Sequence, residues 1–286
     1  MSSEDLLGEL LRRTPQQPAV AYWRAIELQH LLAAMRKLGG LSGLGLDLGC
    51  GDGAVMSSLS RRLDGIRVVG VDADPDEVSR AAQTGVYQRV HVARGSSIPE
   101  PSGTFHWVVA NSVLEHIPEI GPVLAEVARL LTPGGLLWIT VPGPDFHSAL
   151  AGPGFLGPLL GRGEQYFQRL DRRLQHMRYW SAGQWGENLI ASGLRVVHES
   201  HYMPSPEARR WEFLSSVTGG IAWTVAGGRR TNLAIQRTLG ISTGSRWSPL
   251  LLGPAHALLL VSRLKARGRT PERHAGLLVV ARKAPA

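Results

Sequence analysis

The chain of 286 residues is 43% hydrophobic, enough to fill a sizeable core in one large α/β domain or two small ones, and this excludes a chain disordered throughout. Its net charge of +8 is unevenly spread: residues 1–150 hold 12 Lys+Arg against 16 Asp+Glu, a net of −4, whereas residues 151–286 hold 19 against 7, a net of +12. The single cysteine, Cys50, excludes an intramolecular disulfide, and the chain does not open on a basic segment running into an apolar one, so the expected location is the cytoplasm.

In chain order, the first expected element is a helix over 18–38, where Val20, Trp23, Ile26, Leu28, Leu31, Leu32 and Met35 recur at roughly helical spacing and Gly39-Gly40 end the run. Short apolar runs bounded by turn residues follow, giving strands at 44–48, 66–71, 88–92, 105–110 and 136–141. Helical patterns at 54–63, 75–83 and 120–131 lie between them. Such alternation implies parallel strands joined by crossover helices, a doubly wound α/β sheet with ligand sites at the carboxyl ends of its strands.

The second half is less regular. A Gly/Pro-rich loop over 142–163 precedes helices at 164–177 and 181–192, then strands at 194–202 and 276–283. If those two strands pair, the chain between them is an insertion that packs back as a cap. Within it, PLLLGPAHALLLVSRL over 249–264 is the most apolar stretch of the chain. As a helix it would measure about 24 Å, short of the ~30 Å hydrocarbon core, so it reads as a cap helix and not a membrane span. Lys265, Arg267 and Arg269 follow it, which leaves open a peripheral membrane contact or a lipid-lined pocket.

The chemistry concentrates in Leu44-Gly45-Leu46-Asp47-Leu48-Gly49-Cys50-Gly51-Asp52-Gly53, a strand entering a glycine-rich turn and then a helix. Alternate glycines let a backbone pass close under a ligand and take positive φ. A second carboxylate, Asp72, ends the next strand in Gly70-Val71-Asp72-Ala73, suitably placed for ribose hydroxyls or, alternatively, for capping the helix that follows. A dinucleotide site competes, because Gly49, Gly51 and Ala54 satisfy G-x-G-x-x-G/A. Asp47 opposes it: a carboxylate there suits a ligand amino group and repels a pyrophosphate. Cys50 reads as a small packing residue within the turn, and no Cys/His spacing suggests a metal site.

Together with Phe105 to Ile117 (FHWVVANSVLEHI) and Leu130 to Ile139 (LLTPGGLLWI), these motifs resemble those of class I S-adenosylmethionine-dependent methyltransferases of the bacterial small-molecule type, over roughly residues 40–142. The resemblance implies a Rossmann-like, seven-stranded, mostly parallel sheet whose last strand is antiparallel, with helical cap insertions. The expected organisation is a helical lid at 1–40, a cofactor-binding core at 41–202 and 275–286, and caps at 143–180 and 203–274. By the family pattern Asp47, Gly49, Cys50, Gly51 and Gly53 would lie along the methionine part of S-adenosylmethionine, Asp72 at the ribose, Ala73, Gly95 and Ser96 at the adenine, and Asn111 near the methionine chain. Arg94 stands where an acidic residue is usual, and Phe105-His106 where Phe-Asp is usual.

Acceptor chemistry is sought in the residues flanking this core. His116, Glu164, His176 and Tyr179 are the candidates for acid–base or charge-stabilising work, and Tyr22, Trp23, Arg24, His147, Arg172, Arg173 and Trp180 for binding the acceptor. An apolar cap with excess arginine points to a small molecule with a greasy body and an anionic head, such as a prenyl diphosphate methylated at carbon. O-methylation of a natural product or sugar is the alternative. Nucleic acid is not expected, because base-modifying enzymes of this fold show Asn/Asp-Pro-Pro-aromatic where this chain has Asn111-Ser112-Val113-Leu114, though RNA methylation and a non-catalytic cofactor-binding regulator stay as rivals.

Overall fold

The computed structural model of the chain describes residues 3–225, 227, 248–263 and 273–285. Seven strands form one sheet: β1 Leu44–Leu48, β2 Arg67–Asp72, β3 Arg89–Val92, β4 Phe105–Asn111, β5 Leu131–Pro142, β6 Leu194–Pro204 and β7 His274–Lys283. Their order is β3-β2-β1-β4-β5-β7-β6, with parallel ladders between β1 and β2, β1 and β4, β2 and β3, and β4 and β5. The order reverses between β1 and β4, at the switch point where doubly wound sheets bind ligands.

The strands' places follow from their side chains. β7 carries an unbroken buried run from Ala275 to Ala281, as a strand covered on both faces requires. In β6, by contrast, buried or half-buried positions alternate with exposed ones from Leu194 to His201, the pattern of an edge strand. β5 begins at Leu131, five residues before the expected start. Pro133-Gly134-Gly135 reads as a turn, yet the chain pairs there with β4 across an irregularity between Phe105 and Trp107.

The helices are α1 Ser3–Arg13, α2 Pro18–Lys37, α3 Ala54–Ser60, α4 Pro75–Ala82, α5 Ile120–Leu130, the single turns α6 Phe146–Ala149 and α7 Gly157–Leu160, α8 Gly163–Leu174, α9 Ala182–Ala191, α10 Ser205–Ser215, α11 Ile221–Val225 and α12 Ser248–Ser262. α6 and α7 occupy stretches whose sequence pattern predicts no helix, whereas α1 falls within the 1–40 stretch expected to be helical, ahead of the helix expected at 18–38. α1 buries Leu6, Leu10 and Leu11. Lys265, Arg267 and Arg269 lie outside the described residues, as does part of the expected 203–274 cap.

The chain forms two compact units. One comprises Met1–Gln29, Pro144–Met177 and Tyr202–Gly276; the other comprises His30–Gly143, Arg178–His201 and Leu277–Ala286. In the second, the sheet's apolar side chains close with α5 and α9 into a core that includes Leu46, Val69, Val108, Leu124, Ile139, Trp185 and Val279.

Candidate functional site

In the sheet unit, β1 delivers the chain into the Gly49–Gly53 turn. Gly49, Gly51 and Gly53 have φ of 71°, 52° and 76°, the left-handed region that L side chains resist. A Cβ on Gly49 would also lie 2.5 Å from Val113, so only glycine fits. The amides of Gly49 and Cys50 both donate to Val71 O, at 2.8 and 2.9 Å, which ties the turn to the end of β2.

Asp72 completes that tie. Its Oδ2 accepts from Gly51 N and its Oδ1 from Asp74 N, each at 2.9 Å. The cap of α4 is Asp74, whose side chain accepts from Asp76 N, so the capping role that Asp72 could have played belongs to its neighbour. Half-buried at the strand end, Asp72 keeps a second lone pair on each oxygen, the acceptor capacity that a diol needs.

Asp47 is 2% exposed and its Oδ2 accepts from Tyr87 Oη at 2.7 Å. Sequence reasoning does not single out Tyr87; it lies 40 positions from Asp47 and precedes β3, so only the folded chain joins them. Burial, and then the Asp47 charge, push the Tyr87 phenol far up, so it stays a donor. Burial followed by the charges of Asp47 and Asp72 likewise pushes the Cys50 thiol far up, which keeps it protonated and inert. Glu77 is raised by burial first and also by Asp52 and Asp74, against the pull of its partner Arg80. The turn is thus set in a negative field from Asp47, Asp52, Asp72, Asp74 and Glu77. Such a site favours a cationic ligand and opposes a pyrophosphate.

The other expected cofactor residues are less uniform. Ala73 is exposed after β2, and Gly95 and Ser96 are half-buried and exposed on the segment after β3. Asn111, 6% exposed, donates from Nδ2 to Thr140 Oγ1 and so links β4 to β5. After β4, His116 ends a short helical turn with Nε2 3.8 Å from Glu115 Oε1. Arg178 donates to the carbonyls of Leu114 and Pro118 and holds that turn in place. Its guanidinium also lies 4.9 Å over the Trp180 ring, and Trp180 meets Trp185 edge-on at 5.0 Å. Half-buried, Trp180 thus packs within the sheet unit. Tyr179, beside it, is half-buried.

The remaining candidates belong to the other unit. Trp23 meets Phe146, Tyr202 and Trp211 edge-on at 5.9, 5.9 and 5.3 Å, the centre of an aromatic cluster. Tyr22 is 4% exposed beneath the Arg210 guanidinium, 4.7 Å from its ring. Arg24, expected to grip an anion, donates to Glu27 Oε2 at 2.8 Å, and the fully buried Glu27 also accepts from Tyr202 Oη at 2.9 Å. Arg173 is committed as well: buried, it donates to Ser215 O and Ser215 Oγ at 3.1 and 2.7 Å. Arg172 and Glu164 are exposed, and Arg172 donates to Gln168 O. His147 Nε2 lies 2.8 Å from Asp171 Oδ1, while the His176 ring stands edge-on to Phe146 at 5.5 Å.

A further carboxylate of this unit escapes sequence reasoning. Glu212, 3% exposed, accepts from Ala151 N and Gly152 N at 2.8 and 3.0 Å and lines a cavity of about 130 Å³ with Arg209, Phe213 and Ser216. Burial pushes its carboxyl up to about 7 despite those donors and Tyr166.

The model of the methyltransferase domain matches residues 20–199. The chain belongs to the class I S-adenosylmethionine-dependent methyltransferase family. A ubiquinone biosynthesis O-methyltransferase of Xanthomonas oryzae pv. oryzae is 30% identical over 162 residues, 54% of this chain and 65% of that protein, so the match spans less than two thirds of the relative's length. Among solved structures, the [4+2]-cyclase SpnF superposes with a TM-score of 0.53 at 20% identity, covering 92% of this chain and 82% of that one. Geranyl diphosphate C-methyltransferase from Streptomyces coelicolor, in complex with S-adenosyl-L-homocysteine, gives 0.50 at 14%, covering 90% and 80%. These two likenesses are of fold. The family's cofactor is S-adenosylmethionine, and the acidic glycine turn suits its cationic sulfonium and ammonium groups.

Proposed function

We propose that the protein transfers a methyl group from S-adenosylmethionine to the hydroxyl of a small, largely apolar acceptor. The observation that bears most weight is the negative field around the Gly49–Gly53 turn, with Asp47 buried inside it. In this reading Asp47, Gly49, Cys50, Gly51 and Gly53 line the methionyl end, Asp72 accepts from the ribose hydroxyls, and Ala73, Gly95 and Ser96 border the adenine. Asn111 acts through Thr140 by fixing the ends of β4 and β5. When bound, the cofactor supplies an electrophilic methyl group. The chain's task is then to align the acceptor with it, exclude water and remove the hydroxyl proton. His116, in the same unit as the turn, is the proposed base.

Oxygen is preferred over carbon as the acceptor for two reasons. The 30% identical relative is named as an O-methyltransferase. Carbon methylation of a prenyl diphosphate, the reaction for which one fold neighbour is named, would call for guanidinium groups to grip the diphosphate, and Arg24 and Arg173 are bound to Glu27 and Ser215 instead. The fold is also shared with a cyclase, so turnover has to be measured.

The test has two parts. Calorimetry should detect S-adenosylmethionine and not NAD, and Asp72→Ala should weaken the former by roughly 30-fold, about 2 kcal/mol for charge-assisted bonds lost at the ribose and the turn. Incubation with methyl-labelled cofactor and a fractionated metabolite extract should label an apolar fraction at oxygen. Binding of NAD alone, or an unaltered affinity in Asp72→Ala, rejects the cofactor assignment; label on carbon rejects the acceptor assignment.

A further inference from the structure

β6 is the outermost strand of its sheet. Among the described residues its one ladder neighbour is β7, and no loop backbone bonds to it between Leu194 and Ser200. Its outer edge therefore presents N–H and C=O groups suited to pairing with a further strand. The two faces of the strand differ. Val196 and Ser200 lie on a covered face: Val196 packs on the core, where a Cβ on Gly186 of α9 would meet it at 3.8 Å, and Ser200 Oγ lies 2.8 Å from His30 Nε2 of α2. On the other face Arg195, Val197, Glu199 and His201 are all exposed, Val197 by 45%.

Natural proteins protect such edges with proline or with charges that make pairing repulsive. Between Leu194 and His201 there is no proline, and the two formal charges, Arg195 and Glu199, have opposite signs and stand two residues to either side of Val197. Neither has an ion-pair partner among the described residues. That spacing is self-complementary. Antiparallel strands that meet with Val197 opposite Val197 place Arg195 of each copy against Glu199 of the other, twice about one two-fold axis. The same register sets Val196 against His198 and brings no like charges together.

Other arrangements lose this match. Centring on Arg195 or on Glu199 sets that residue against its own copy, and centring on Val196 or His198 leaves both charges without an opposite one. Parallel strands in register stack Arg on Arg and Glu on Glu. α9 adds one exposed acid, Glu187, but in the helix layer and not in the strand, so it enters no cross-strand pair.

We propose that the chain forms a two-fold dimer by antiparallel pairing of β6 with β6 of a second copy, with Val197 on the axis and reciprocal Arg195–Glu199 pairs. Two seven-stranded sheets then become one continuous sheet. This inference depends on neither the cofactor nor the methyl acceptor. A pairing of about eight residues per strand is a small interface, so the dimer exchanges with monomer at micromolar concentrations.

Sedimentation velocity of the full chain over a concentration series tests it. Wild type should pass from monomer to dimer, and 0.5 M salt should weaken the association. Arg195→Glu and Glu199→Arg each turn two attractive pairs into two repulsive ones, and each should weaken the dimer by roughly tenfold or more. The combined reversal, Arg195→Glu with Glu199→Arg, should restore it to within a few-fold of wild type, with circular dichroism and S-adenosylmethionine affinity unchanged in all three. Val197→Lys, which sets two ammonium groups on the axis, repeats the test should a charge reversal misfold. A monomer at every concentration up to about 100 μM overturns the proposal. So does a dimer indifferent to the single reversals, or one that the combined reversal fails to restore.

Discussion

The two units of this protein differ in what holds their candidate residues. In the sheet unit the glycine turn and Asp72 are built from contacts among backbone amides, a strand end and a nearby carboxylate, and the side chains read as ligand-binding keep acceptor capacity. In the other unit the residues with the most suggestive chemistry are consumed by the fold itself: Arg24 by Glu27, Arg173 by Ser215, Trp23 by three aromatic rings. A motif with fixed local geometry announces a site. An arginine or tryptophan alone announces only that something must satisfy it.

The sharpest way to break this comparison is Trp23→Ala. If Trp23 is structural, truncation should cost ~3–5 kcal/mol in urea unfolding and leave S-adenosylmethionine affinity nearly intact. A stable variant that had lost only acceptor turnover would return Trp23 to the binding residues.

Glu212 comes next. Its carboxyl, raised by burial to about 7 from 4.5, binds its proton more tightly in the folded state, so stability is fully present below about pH 4.5 and declines as pH rises toward 7. The expected loss is about 3 kcal/mol at one pKa unit per 1.36 kcal/mol. Urea unfolding across that window should show the slope in the wild type and a flatter line in Glu212→Gln. Parallel slopes would mean that Glu212 is ionised and well compensated in the fold.

Tyr87→Phe should have the smallest effect. Removing the donor to Asp47 Oδ2 should cost about 1–2 kcal/mol of stability and a few-fold in cofactor affinity, since a buried carboxylate loses a charge-assisted bond. Unchanged affinity would make Tyr87 a mere neighbour of the turn and would narrow the cofactor site to the residues readable from its motif.

Legibility followed the range of the interactions. β1, β2 and β4 are placed to within a residue because their side chains repeat over short distances, and the Asp47 to Gly53 turn is recognisable because left-handed backbone demands glycine at fixed offsets. α6 and α7 hide in a Gly/Pro-rich stretch, being single turns too short to show a period. The early start of β5 is masked by Pro133-Gly134-Gly135, where pairing with β4 prevails over local turn preference.

By itself, then, the sequence determined the doubly wound sheet, the family and the acidic glycine turn, because periodicity, turn chemistry and strand-end carboxylates act within a few residues of chain. Only the tertiary structure decided that Tyr87 and not solvent faces Asp47, that Arg24 and Arg173 are already bound, that Glu212 is buried, and that β6 stands at the edge of the sheet. Those outcomes depend on partners tens of residues away, and no local pattern encodes which polar group a buried charge will meet.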